Sequence, residues 1–121
     1  MGRTVLVVIE DRALSDVLAE ALVDAGHAVV QADDAASAES AVATRRFDAA
    51  IVDLDTRARQ GEALIAHLRA TQPQLTVIAL LPCGGLPPSA RLPLHHLALE
   101  KPARIAALLS AVNVAPAAIR N

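Results

Sequence analysis

Two acidic pairs in the first half of this chain, and one lysine near its end, are of types that can handle a phosphoryl group. Glu10-Asp11 follow the apolar run Thr4–Ile9, Asp53-Leu54-Asp55 follow Ala49-Ala50-Ile51-Val52, and Glu100-Lys101-Pro102 follow Leu97-Ala98-Leu99. Carboxylates brought together bind a hard divalent cation through oxygen, usually Mg²⁺ with several of its waters. A lysine beside them holds an anionic oxygen as a compact point charge. Asp53 is then a carboxylate placed for in-line attack on phosphorus, with an aspartyl phosphate as the product.

Segments this far apart in sequence meet only if the chain folds so that their preceding runs lie side by side. Thr4–Ile9 is continuously apolar after its first residue and rich in β-branched side chains, as expected of a strand buried on both faces. Residues 13–25 carry Leu14, Val17, Leu18, Ala21, Leu22 and Ala25 on one helical face, closed by Gly26. A short strand follows over His27–Ala32, then an Ala-rich helix over 35–45 capped by Asp34. Ala49–Val52 reads as a third strand ending at Asp53. The next helix runs over Glu62–Thr71 with Leu64, Ile65 and Leu68 inward, and Pro73 ends it. Leu75–Leu81 and residues 97–99 are the remaining strands. Pro102 opens a last helix that lines up Ile105, Leu108, Leu109 and Val112.

Strands and helices in alternation predict an α/β fold, a parallel sheet with helices on both faces. Ligands of such sheets lie beyond the carboxyl ends of the strands, where all three charged segments fall. One stretch breaks the rhythm. Residues 82–96 hold four prolines and two glycines, so a regular helix cannot fill them, and at most a turn forms around Ser89–Leu92. The segment 114–121 is expected to fray, leaving a single domain over 1–121 with its core at about 4–113.

Composition narrows the function. The chain has 121 residues, 54% of them apolar but with small side chains: 27 Ala, 17 Leu, 12 Val and 6 Ile against one Phe. That is enough apolar surface for a core and excludes disorder. With no Trp or Tyr, there is no platform on which to stack bases. Net charge is −2, unevenly spread: −6 over residues 1–62 and +4 over 63–121, with Glu100 the only acid after residue 62. No Lys/Arg run marks a nucleic-acid surface. Cys83 is the sole cysteine, which excludes an internal disulfide and fits a reducing compartment. Thr4–Ile9 is too short to span a membrane or serve as a signal core, and Leu6 stands where a myristoylation signal wants Ser or Thr. A cytoplasmic protein without membrane attachment is expected.

These residues together resemble the receiver domain of two-component response regulators, over about residues 4–113. Val5-Leu6-Val7-Val8 followed by acids is similar to the family's first strand. Asp48 through Asp55, with Gly61 eight residues after Asp53, resembles its phosphoacceptor strand and loop. Leu99-Glu100-Lys101-Pro102 resembles its Lys-Pro motif. The resemblance implies a flavodoxin-like doubly wound sheet of five parallel strands in the order 2-1-3-4-5. It implies phosphoryl transfer to Asp53 from a histidine kinase or phosphotransfer protein, with Mg²⁺ as cofactor. Asp53, Glu10 and the backbone carbonyl of Asp55 take metal-ligand positions, Asp11 is a further candidate, and Lys101 contacts the phosphate.

Departures from the family are concentrated around the same positions. Receivers place two acids directly after the first apolar run; here those positions are Ile9 and Glu10. Asp11 cannot simply replace Ile9, because a one-residue slip turns a strand's side chains to opposite faces. Fewer ligand charges weaken the metal site. The hydroxyl residue that follows strand four is Leu81, and the aromatic three residues before the lysine is Ala98. The loop proline four residues after the acceptor is Arg57, and the fourth helix is short or irregular. Leu81 and Ala98 supply neither moving part of the usual switch, and a ligand shifts a two-state equilibrium only by its differential contacts.

Other reactive side chains carry less. His95-His96 point opposite ways in an extended segment and lack metal-site company. His27 and His67 read as surface residues. Cys83 has no adjacent His or Lys to activate it. Arg57 and Arg59 flank the acceptor loop, where they either attract a phosphoryl donor or, on the simpler reading, only solvate the loop.

Three readings follow. The first is a stand-alone, atypical receiver that accepts phosphate on Asp53 and acts through a downstream protein target, without catalysis beyond phosphoryl acceptance and autodephosphorylation. The sequence does not fix the oligomeric state, although helix one, or the face from strand four to the last helix, could support a homodimer. The second is a phosphorylation-independent interaction module using the proline-containing stretch Leu86–Leu97. The third rests on Asp53-Leu54-Asp55-Thr56, which resembles the first motif of haloacid-dehalogenase-type phosphatases. That family needs late acids for Mg²⁺, and only Glu100 is available.

Overall fold

The computed structural model describes residues 2–53, 58–81 and 97–100, together with Leu109 and Val112. In chain order the elements are β1 (Thr4–Val8), α1 (Arg12–Asp24), β2 (Ala28–Ala32), α2 (Ala35–Thr44), β3 (Ala49–Asp53), α3 (Ala58–Thr71), β4 (Thr76–Leu81) and β5 (Leu97–Glu100). The strands form one five-stranded sheet in the order β2-β1-β3-β4-β5. Every neighbouring pair is parallel. This is the expected doubly wound architecture, with β3 at its centre.

Alternation along the strands divides the core into two layers. Leu6 and Val8 of β1, Ala50 and Val52 of β3, and Val77 and Ala79 of β4 face α2 and α3, where Val42, Leu64, Ile65 and Leu68 cover them. Val5, Val7, Ile51, Ile78 and Leu80 face the other way, against Leu18 and Leu22 of α1 and against Val112. Leu109 and Val112 are both helical, and Val112 is fully buried, which places these two positions on the inward face expected of the last helix. Both faces of the central strands are thus covered, which is why their sequences are apolar throughout rather than alternating.

The helix boundaries follow their caps. Asp11 opens α1: its carboxylate accepts from the N–H of Ala13 and Leu14, two donors with no partner within the helix. Asp34 does the same for α2 through the Ser37 N–H at 2.7 Å. Gly26 closes α1 at φ +94, in the left-handed region where a side chain would be strained.

Two expectations need correction. The third helix starts at Ala58, a turn before Glu62, and Gly61 lies inside it rather than in the preceding loop. Residues 58–61 carry no apolar stripe, so the pattern hides this first turn. One interior glycine costs only about 1 kcal/mol relative to alanine, which the packing of Leu64, Ile65 and Leu68 outweighs. His27 is not a surface residue. It is 6% exposed, and its Nδ1 accepts the Arg3 N–H at 2.9 Å. His67 is exposed, as expected.

The amino ends of the strands are tied together by two buried side chains. Asp48 Oδ2 accepts the Thr4 N–H at 2.8 Å, linking β1 to β3. Gln72 accepts from the Phe47 N–H and donates to the carbonyls of Val42 and Arg45, fastening the end of α3 to the α2–β3 connection. No described helix is long and apolar enough to cross a membrane. The irregular stretch 82–96 and the tail 114–121 lie outside the described residues.

Candidate functional site

The parallel register brings the carboxyl ends of all five strands to one rim. Val8 pairs with Val52, so β1 and β3 end side by side. Asp53 is the last residue of β3 and pairs with Leu80 of β4. Leu80 pairs in turn with Leu99, and Leu81 with Glu100, the last residue of β5. The ends of β1, β3 and β5, which precede or carry the three charged segments, therefore share this rim.

Asp53 is half-buried, and Glu10, just beyond β1, is exposed. Asp53 follows Ile51 by two residues along the strand, which puts it on the α1 side of the sheet with Ile9 and Leu80. Ile9 is 1% exposed and Leu80 is 2% exposed. The acceptor candidate is thus bordered on both neighbouring strands by buried apolar side chains. Ile9 also continues the ladder past β1, donating its N–H to the Ala32 carbonyl at 3.2 Å. Its burial contributes about 1.5–3 kcal/mol of hydrophobic stabilisation.

Asp11 sits at the rim, but its Oδ1 is committed to the Ala13 and Leu14 N–H groups at 3.0 and 3.2 Å. β2 ends at the same rim and is followed by Asp33 and Asp34, both exposed. The sequence marks Asp34 as a helix cap, and nothing in it sets Asp33 apart from other surface acids. The Ser37 backbone N–H holds the Asp34 carboxyl below its ordinary value. Among the described residues, no group of three or more Asp, Glu, His or Cys side chains is arranged to hold a metal ion.

The backbones of Leu81 and Ala98 lie in β4 and β5, and Ala98 pairs with Ala79. Asp55, Lys101 and Arg57, like the Pro/Gly-rich stretch after Leu81, lie outside the described residues.

Residues 5–81 match the family model of the response regulator receiver domain, and the chain belongs to that family. It is 31% identical over 86 residues to the response regulator protein FleR of Pseudomonas aeruginosa, a match covering 71% of this chain. The match spans only 18% of that longer relative. Among solved structures, a CheY-like response regulator receiver domain from Methylobacillus flagellatus aligns with a TM-score of 0.80 at 26% identity, over 96% of this chain and 100% of that one. A response regulator protein from Burkholderia pseudomallei, solved with a phosphorylated aspartic acid, calcium ion and citrate, aligns with a TM-score of 0.75 at 26% identity, over 93% of this chain and 67% of that one.

Proposed function

We propose that this chain is a receiver in phosphorelay signalling, accepting a phosphoryl group on Asp53 and acting through contacts with a downstream protein. One observation carries the reading: Asp53 is a half-buried carboxylate closing the central strand, on the rim shared by the end of β1 and the end of β5. The donor is a phosphohistidine of a histidine kinase or phosphotransfer protein. An Asp53 oxygen attacks phosphorus in line, the new O–P bond forms as the P–N bond breaks, and the imidazole nitrogen leaves with the electron pair and takes up a proton. Lys101, which follows β5 in sequence, is the cation assigned to the phosphoryl oxygens. A solved relative from Burkholderia pseudomallei carries a phosphorylated aspartic acid, which supports the same chemistry here. Work at the rim is confined to phosphoryl acceptance and loss. The reading takes the chain as one domain, acting in the cytoplasm and able to form a homodimer.

Receiver domains typically bind Mg²⁺. The described rim fits that ion poorly. The oxygen-bearing side chains at the described ends of β1 and β3 are Glu10, Asp11 and Asp53, and Ile9 puts a buried hydrocarbon level with Asp53. Glu10, Asp53 and the Asp55 carbonyl remain the ligands assigned to it, and no step above depends on it.

Incubation with acetyl phosphate, followed by intact-mass measurement, tests the proposal. A single phosphoryl adduct that disappears in Asp53→Asn is expected. No adduct, under conditions that label an ordinary receiver, overturns it. The burial of Ile9 favours a second reading, a module that binds its partner whatever the state of Asp53. Under that reading Asp53→Asn leaves signalling intact.

A further inference from the structure

We infer that Ile9 sets the cation affinity of this rim, holding the site far below the divalent affinity that its carboxylates would otherwise reach. The inference rests on Asp53 being the functional carboxylate of the rim. Three observations meet at this residue. Ile9 lies one residue beyond the Val8–Val52 pair, so it stands level with Asp53 on the adjacent strand. It shares the α1 face of the sheet with Ile51 and Leu80, the same face to which alternation assigns Asp53. And it is 1% exposed, packed in the cluster that includes Val7, Leu18 and Val112.

A small dication wants near-octahedral oxygen and gives up its waters reluctantly. On this face, the position beside Asp53 offers methyl groups instead of oxygen. The isoleucine is anchored in the core, so it cannot swing aside to admit water as a surface side chain would. The neighbouring acids do not make up the loss. Glu10 follows Ile9 at a bend beyond β1 and is exposed, so it does not replace the donor missing at the strand position level with Asp53. Asp11 spends its Oδ1 on the first turn of α1. Asp33 and Asp34 lie at the end of β2, on the far side of β1 from Asp53. Among the described residues these acids form no metal cage. The described part of the rim is rich in negative charge but poor in convergent oxygen.

Titration of the unphosphorylated chain with Mg²⁺, followed by backbone amide chemical shifts, reads this directly. The chain has no Trp or Tyr, so quenching of intrinsic fluorescence is not a usable signal. Ile9→Asp restores an oxygen donor of full charge and is expected to lower the half-saturating Mg²⁺ concentration by roughly tenfold or more, since ligand charge count is a principal control of such sites. The amides that shift are expected at the ends of β1 and β3. A smaller gain in a folded Ile9→Asp chain overturns the inference. Should that variant fail to fold, judged by amide dispersion, Ile9→Asn supplies a neutral oxygen of the same size. It is expected to gain about threefold, and no gain overturns the inference. The two proposals fail separately. Loss of phosphoryl acceptance shows as a missing mass adduct, whereas this titration needs no phosphoryl donor.

Discussion

Asp48 and Thr4, 44 residues apart, exchange two hydrogen bonds at the amino ends of β3 and β1: Asp48 Oδ2 accepts the Thr4 N–H at 2.8 Å, and the Thr4 carbonyl accepts the Asp48 N–H at 2.8 Å. This double link holds the two strands in the register that brings Glu10 and Asp53 to the same rim at their other ends. Asp48 is 2% exposed. Asp48→Ala leaves the Thr4 N–H without its acceptor in a site with little water, and is expected to cost about 1–3 kcal/mol. Asp48→Asn keeps an acceptor oxygen and is expected to cost less. Urea unfolding followed by far-ultraviolet circular dichroism ranks the two.

Gln72 bonds three backbone groups, those of Val42, Arg45 and Phe47. No other residue type of that size offers one acceptor and two donors in a plane. Gln72→Leu keeps the volume and removes all three bonds. A loss of about 2–4 kcal/mol is expected, because buried groups left unpaired cost more than their bonds contributed. Gln72→Glu retains the acceptor for Phe47 but sets a carboxylate against two carbonyls, and is expected to be worse at neutral pH than in mild acid.

The cap of α2 gives a pH dependence with a definite sign. The Asp34 carboxyl is lowered from 3.8 by the Ser37 N–H, so its charged form is favoured by folding. A depressed carboxylate contributes stability that is fully present above the unfolded value. That contribution fades as pH falls through the folded one. Asp34→Ala is therefore expected to lower the urea midpoint by a constant amount at neutral pH. The gap to wild type should narrow once the pH drops below about 4. Paired unfolding curves across that range decide it.

Ile9 is a core residue as much as a rim residue. Ile9→Ala removes packing shared with Leu18, Leu80 and Val112, and is expected to cost about 2–5 kcal/mol. Ile9→Val is expected to cost about 0.5–1.5 kcal/mol. A neutral Ile9→Ala in thermal unfolding would mean that core packing does not hold this side chain at the rim.

Leu81 carries no hydroxyl and Ala98 no ring, so a phosphoryl group on Asp53, if accepted there as proposed, is expected to have little to pull on between β4 and β5. Amide shifts of residues 76–81 and 97–100 are expected to change little on acetyl phosphate treatment of the wild-type chain. The double variant Leu81→Thr, Ala98→Tyr is expected to shift both strands on the same treatment.

Much of the fold was legible because its determinants are local. A strand buried on both faces has to be apolar along its whole length, and Val5–Ile9 and Ala49–Val52 declare themselves that way. The caps at Asp34 and Gly26 are also local, each set by a side chain or a φ angle within one turn. The start of α3 was not legible, because the sequence of its first turn carries no periodic apolar stripe and contains Gly61. The burial of His27 is hidden in the sequence for a related reason: a histidine's polarity says nothing about a distant Arg3 N–H waiting for it.

The amino-acid order alone determined the alternation of elements and the position of Asp53 at a strand's end, since periodicity and strand length are properties of neighbouring residues. Tertiary structure decided which side chains surround that carboxylate. Ile9 could have been a solvated strand end; it is instead sealed into the layer beneath α1 because β1, β3, α1 and the helical Val112 converge there. Burial is a sum over contacts from segments remote in the chain, and only the packed molecule performs that sum.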